Sequence, residues 1–145
     1  MKYYAVIDTN VLVSAMLKWE SVPGTVMSLI FDGPVIPIFN NEIIAEYRNV
    51  LSRPKFHLDE DIIENIISGI TDKGILITAE SLDINLPDPK DVVFYEVVYE
   101  KRKTENAYLV TGNIKHFPVK QYVVTPREFI DIILDDISQN EEQMR

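Results

Sequence analysis

The chain has 145 residues, 46% of them hydrophobic and 26% charged, the balance of an ordinary globular protein large enough to bury one sizeable core. Cysteine is absent, which excludes disulfides, iron–sulfur clusters and thiolate metal sites and suits a reducing cytoplasm. The net charge of −9 argues against non-specific nucleic-acid binding through a basic surface. It leaves room for an enzyme that meets phosphates through bound cations, because carboxylates that hold metal also add negative charge.

Met1-Lys2 leads straight into the first strand, so no signal peptide is expected, and no apolar run approaches the roughly 20 residues of a membrane helix. Residues 3–8 read as a buried strand that delivers Asp8 to its carboxyl end. Asn10 to Leu17 is apolar enough for a short helix, broken by the run from Lys18 through Pro23-Gly24. Thr25 to Phe31 reads as a second helical piece, stopped by Asp32-Gly33-Pro34. Val35 to Phe39 is a strand in which Pro37 costs one ladder donor.

Asn40 or Asn41 can cap the next helix, whose stripe is Ile43, Ile44, Tyr47, Val50 and Leu51. Arg53-Pro54 ends it. The acids Asp59-Glu60-Asp61 open a further helix carrying Ile62, Ile63, Ile66, Ile67 and Ile70, and Gly74 stops it. Ile75 to Thr78 reads as a third strand. After the loop Leu86 to Asp91, a helix to Lys101 is apolar on most sides and is expected to be well buried. Ala107 to Thr111 is a fourth strand and Tyr122 to Val124 a fifth. Thr125-Pro126-Arg127-Glu128 forms a capping box for a last helix to about Ile137. The expected division is a domain over residues 1–137 and a polar, fraying tail over 138–145. Strands alternate with helices throughout, which predicts one α/β domain with a mainly parallel sheet of about five strands and helices on both faces.

Four short stretches carry candidate chemistry, and each has a plainer explanation. Asp8 could cap the helix that follows it. Glu46, beside Ile43 and Val50, could be a surface glutamate flanking a buried face. Asp88 and Asp91 could serve Pro89 and the next helix as electrostatic caps. Thr111-Gly112-Asn113 could be a strand end and turn. Their elements converge, however. In a doubly wound sheet the carboxyl ends of the first and fourth strands and the helix starts beside them face one edge. Three carboxylates gathered there repel one another unless a cation sits between them, and oxygen ligands suit Mg²⁺ or Mn²⁺.

The segment Val6 to Leu12, the Glu46 helix ending Val50-Leu51-Ser52-Arg53-Pro54, the Asp88-Pro89-Lys90-Asp91 turn and Tyr108 to Gly112 resemble the motifs of PIN domains. The likeness spans nearly the whole chain and is nearest to the toxin components of bacterial toxin–antitoxin pairs. It implies a single-domain, three-layer α/β/α fold and a cytoplasmic ribonuclease that uses Mg²⁺ or Mn²⁺. By resemblance Asp8, Glu46 and Asp91 are the catalytic and metal-binding acids. The family's usual fourth acid is here Asn113, which keeps an oxygen ligand and loses the charge, so a second cation would be held more weakly. Thr9, Asn10 and Thr111 match positions that orient the acids or a metal-bound water, and nearby Asp88 is the candidate to make up the missing charge. Arg53, Lys55 and Lys115 are the candidate substrate contacts, with Lys90 and His116 beside them, although each reads equally as a solvated surface group. Arg53 follows Glu46 by seven residues and shares its helix face if the helix reaches that far. The resemblance also implies an RNA substrate, a cognate antitoxin and self-association, commonly as a dimer, with Trp19 to Phe31 and the last helix as candidate surfaces.

Asn113 supports one rival reading, a catalytically weakened PIN-like module that binds RNA or protein. A phosphotransfer receiver domain is a second, but its acids should be paired near the start, whereas Asp8 is followed by Thr9-Asn10. A dinucleotide site lacks its Gly-rich turn after the first strand.

Overall fold

The computed structural model describes residues 2–144. Five strands form one parallel sheet: β1 (Tyr3–Ile7), β2 (Val35–Phe39), β3 (Ile75–Leu76), β4 (Ala107–Val110) and β5 (Val123–Val124), in the order β3-β2-β1-β4-β5. Among the described residues six α-helices connect and cover them: α1 (Thr9–Leu17), α2 (Val22–Asp32), α3 (Asn41–Leu51), α4 (Glu60–Lys73), α5 (Val92–Lys101) and α6 (Pro126–Gln143). The order reverses at β1, whose two neighbours are β2 and β4. That reversal is where an open parallel sheet leaves a crevice beyond its strand ends.

The side-chain period of two sends alternate β1 residues to opposite faces. Tyr3 meets the Phe129 ring of α6 edge-on at 6.4 Å, and Tyr108 of β4 packs on the same ring at 5.5 Å. Tyr4 faces the other way, under Lys101 of α5, with the ammonium 4.4 Å from the ring centroid. The sheet is therefore the middle of three layers, as expected. Its strands are nearly continuous apolar runs because both faces are covered.

The elements differ from expectation in several places. Helix α2 starts at Val22, three residues early, so Pro23 and Gly24 lie in its first turn. Ser21 caps it by accepting the Gly24 N–H at 3.2 Å, and proline is tolerated there because first-turn N–H groups have no helical partner. A Cβ at Gly24 would lie 1.8 Å from the Trp19 carbonyl oxygen, so the glycine serves a close approach. Strand β3 stops at Leu76, with Ile77 adding one bond to the Phe39 carbonyl at 2.7 Å. The following stretch is irregular and is tied to α5 through Glu96, which accepts the Leu82 N–H at 2.6 Å.

Pro37 sits in β2, an inner strand, beside the beginning of β3. A Cβ on Gly74 would lie 2.4 Å from the Pro37 carbonyl oxygen, so only glycine fits where β3 approaches. Pairing with β3 begins one residue later, at Ile38 with Ile75, and the missing proline donor falls outside the ladder. Helix α3 ends at Leu51, before Arg53. Helix α6 runs through Ile137 to Gln143, so the expected boundary at 137–138 falls inside a helix. The capping box has formed, with Thr125 and Glu128 exchanging both bonds, and extending a nucleated helix through polar residues costs little.

Candidate active site

Asp8 follows β1 and Thr111 follows β4, so strand pairing alone sets them side by side. The Asp8 N–H donates to the Val110 carbonyl at 2.9 Å. Asp8 is only 5% exposed and Thr111 is fully buried. The Thr111 hydroxyl donates to Asp8 Oδ2 at 2.6 Å and accepts the Asn113 N–H at 3.0 Å. Asp8 occupies the N-cap position of α1 yet closes no capping hydrogen bond. One of its oxygens is taken by Thr111 across the sheet, while the first N–H groups of α1 still favour its charged form.

Burial pushes the Asp8 carboxyl above its ordinary pKa, against the opposing pull of the Thr111 hydroxyl, the N–H dipoles of Asn10 and Thr9, and His116. Burial wins because a carboxylate at this depth has little water left to solvate it.

Glu46 comes from α3, which Asn40 caps by accepting the Ile43 N–H at 2.9 Å. The Thr9 hydroxyl donates a short hydrogen bond to Glu46 Oε2. Next to Glu46, the fully buried Tyr47 donates its hydroxyl to the carbonyl of Ile7, the residue before Asp8. Burial, Asp8 and Glu46 all raise the Tyr47 pKa, so the phenol stays protonated and remains a donor. The pattern of α3 marks Tyr47 as core. That its hydroxyl reaches the end of β1 is visible only once α3 is docked.

Asp91 ends a 3-10 turn, Pro89–Asp91, in which Asp88 accepts the Lys90 N–H at 3.0 Å. Its carboxyl is pushed up to about 6, first by burial, then by the charges of Asp8 and Asp88, with His116 pulling down and Glu46 pushing up. His116 Nδ1 lies 3.6 Å from Asp91 Oδ2. Like charges thus act on one carboxyl from three sides, and a bound cation would relieve that repulsion.

These residues share a cleft of about 230 Å³. Asp8, Glu46, Asp91 and Asn113 line it, as do Thr9, Asn10 and Asp88. Arg53 and Lys90 supply its positive side, and His116 lines it beside Asp91. Arg53 is in extended backbone before Pro54, not on the face of α3, but it still reaches the cleft. Lys55 does not line it and lies over its neighbour Phe56, 5.1 Å from the ring centroid. Lys115 faces a different groove. Thr111 acts from behind, through Asp8. His116 is drawn in by the turn Ile114–His116, a placement no periodicity could signal.

The donor chemistry fits a hard divalent cation, being carboxylates with one amide oxygen. Among the described residues no group of three or more His, Asp or Glu side chains is arranged to hold a metal ion, so the acids line the cleft without closing on one point.

A family model for the PIN domain matches residues 4–115.

The chain belongs to the PIN domain family.

The match takes in each acid of the cleft and Asn113, and leaves β5 and α6 outside. An uncharacterized protein of Methanocaldococcus jannaschii, MJ1680, is similar to this PIN domain, with 28% identity over 147 residues, covering 90% of this chain and 92% of the relative. No solved structure gives a significant match. PIN domains are typically metal-dependent nucleases that bind RNA, usually with divalent cations such as Mg²⁺. Among the described residues of this PIN domain, no helix is long and apolar enough to cross a membrane.

Proposed function

We propose that this PIN domain is a metal-dependent ribonuclease that hydrolyses RNA phosphodiesters with Mg²⁺ or Mn²⁺. The observation that carries the reading is the gathering of Asp8, Glu46 and Asp91 on one cleft at the reversal of the sheet, with Asp91 pushed up by its acidic neighbours. Asp8 and Asp91 would hold the cation, with Glu46 and the Asn113 amide oxygen as further ligands. Bound there, the cation supplies a water of lowered pKa and neutralises charge on the phosphodiester.

The chain's own residues orient the reactants. Thr111 holds Asp8 by one oxygen, and Thr9 holds Glu46 by one oxygen, leaving the second to steer a water. Asp88 adds charge beside Asp91. Arg53 and Lys90 are placed to contact substrate phosphates. In the hydrolysis the water oxygen bonds to phosphorus as one phosphorus–oxygen ester bond breaks, the water's proton passes to solvent, and the leaving oxygen takes a proton from solvent to become a hydroxyl. The test is cleavage of a mixed RNA pool with Mg²⁺ or Mn²⁺ by the wild type and by Asp8→Asn.

Metal binding has its own readout. At a Mn²⁺ concentration about 100 times its Kd, ligand linkage adds about 2.7 kcal/mol, a rise in melting temperature of roughly 8 °C for a chain this size. The rise is expected at pH 7.5, to shrink at pH 5, and to vanish in Asp8→Asn. Asp91, pushed up to about 6, must lose its proton to bind the ion. Without metal the sign is opposite. A raised carboxyl pKa stabilises the fold fully below its ordinary value of 3.8, and that contribution is lost as pH rises through about 6. Scanning fluorimetry across pH, with and without Mn²⁺, reads both. An equal metal shift in Asp8→Asn would remove this cleft as the site.

We assign the nuclease to a toxin–antitoxin pair acting in the cytoplasm. Motif resemblance supports this, together with the −9 charge, which suits a basic antitoxin segment. Exposed apolar side chains on α1 and α6, such as Leu17 and Leu134, offer surface for an antitoxin or for a second copy in a dimer. Trp19, 40% exposed and stacked on Phe31, adds to the first. Expressed alone in a bacterial host, the wild type should arrest growth and Asp8→Asn should not. Equal growth of both strains at equal protein levels would dispose of the toxin role.

A second reading, a weakened module that binds RNA or protein, is favoured by Asn113 and by the open arrangement of the acids. It predicts RNA or partner binding with no cleavage in either metal.

A further inference from the structure

Lys115 shares the short turn Ile114–His116 with a residue of the cleft, but it lines a separate groove of about 290 Å³ with Ile114, Pro118, Val119, Lys120 and Val123. The turn is a shared wall. Asn113 and His116 face the cleft, while Ile114 and Lys115 face the groove. We propose that this groove is a subsite for a nucleotide flanking the scissile phosphate of single-stranded RNA, with Lys115 and Lys120 holding the sugar-phosphate backbone and Ile114, Pro118 and Val119 receiving a base.

Three observations carry this, given the ribonuclease reading above. The groove adjoins the cleft across the turn Ile114–His116, whose residues line both, so a strand that leaves the cleft over this turn meets Lys115 and Ile114 next. Its charge complements RNA. Two exposed lysines stand together in a chain of net charge −9, and the one acid of the lining, Glu128, has an oxygen engaged by the Thr125 N–H in the capping box of α6. Its lining carries exposed apolar side chains, with Val119 fully exposed and Ile114 41% exposed. Isolated apolar side chains on a surface need no explanation, but these two flank a pair of cations at the mouth of a nuclease cleft. A single strand is the fitting form, because only unpaired bases can turn a face onto such a surface. With no aromatic platform or buried polar group in the lining, the subsite should favour length over sequence.

The test is cleavage of a labelled trinucleotide and a labelled octanucleotide in Mn²⁺ by the wild type and by the double variant Lys115→Gln, Lys120→Gln. Both lysines are exposed, so the variant should fold. For the octanucleotide, KM should rise about tenfold with kcat retained. The salt dependence of its log KM should fall by about 1.4, since each phosphate that a lysine no longer neutralises removes about 0.7 from the slope. The trinucleotide should be cut as before. Unchanged octanucleotide KM and salt slope would overturn the subsite, which is also the result if the groove holds a protein segment instead. If the wild type cuts neither oligonucleotide in either metal, the ribonuclease reading fails and the subsite fails with it.

Discussion

Asp8→Asn is expected to cut RNA cleavage by at least about 100-fold while leaving the protein folded. The lower bound follows from outer-shell partners of metal ligands, whose loss alone costs about 10–100-fold in affinity or activity. Asp8 is the acid at the meeting of β1 and β4, and the other site elements are placed relative to it. Asparagine keeps the size and one acceptor oxygen, so the Thr111 bond can persist. In metal-free buffer at neutral pH the variant should melt no lower than wild type. A buried carboxylate with a raised pKa is held in its charged form at a cost, and the amide removes that cost. Equal cleavage by variant and wild type in Mg²⁺ and Mn²⁺ would refute the assignment of the cleft as a nuclease centre. A loss of activity with a collapsed melting curve would report folding alone, so activity and melting must be measured on the same preparation.

Tyr47→Phe is expected to lower kcat by about 10–100-fold, the range for groups that position metal ligands without touching the metal. The two ends of the Tyr47–Ile7 hydrogen bond are each one residue from an acid, Glu46 on α3 and Asp8 after β1. The bond therefore sets the spacing of those acids directly. Phenylalanine keeps the ring packed near Phe94 but leaves the Ile7 carbonyl buried without its partner, a cost of about 1–3 kcal/mol. The melting temperature should fall by several degrees. Purely structural damage would leave catalysis intact well below that melt. The positioning role predicts instead a lower kcat and a higher half-saturating Mn²⁺ concentration, with KM for RNA unchanged. Wild-type kcat at saturating Mn²⁺ and low temperature would show that the hydroxyl serves stability only.

The elements were legible where local signals agree. The Thr125–Glu128 capping box, the Ile63, Ile67 and Ile70 stripe of α4 and the apolar run of β1 each state their structure through spacing alone. The misreadings have different causes, some local and some lying far along the chain. Pro23-Gly24 reads as a break until Trp19 folds over it. Strand β3 is short because β2 itself ends at Phe39, and beyond Ile77 the backbone N–H groups of Glu80 and Leu82 turn to the Glu100 and Glu96 side chains of α5. The reach of α6 to Gln143 depends on a nucleus already formed upstream.

Asp8 shows the same division within the site. Sequence alone determined that the chain is an α/β domain of alternating strands and helices and that its acids fall at strand ends and helix starts; its resemblance to PIN domains added that Asn113 stands where the family usually has a fourth acid. These are matters of residue type and spacing, which local backbone physics converts into elements. Only the tertiary structure decided that Thr111 reaches Asp8 across the sheet, that Thr9 holds Glu46, that Tyr47 ties α3 to the Ile7 carbonyl, and that His116 and Arg53 enter the cleft while Lys115 turns to the neighbouring groove. Those facts depend on which elements the sheet brings side by side and how a turn aims its side chains. Neither is encoded in the spacing of residues along the chain.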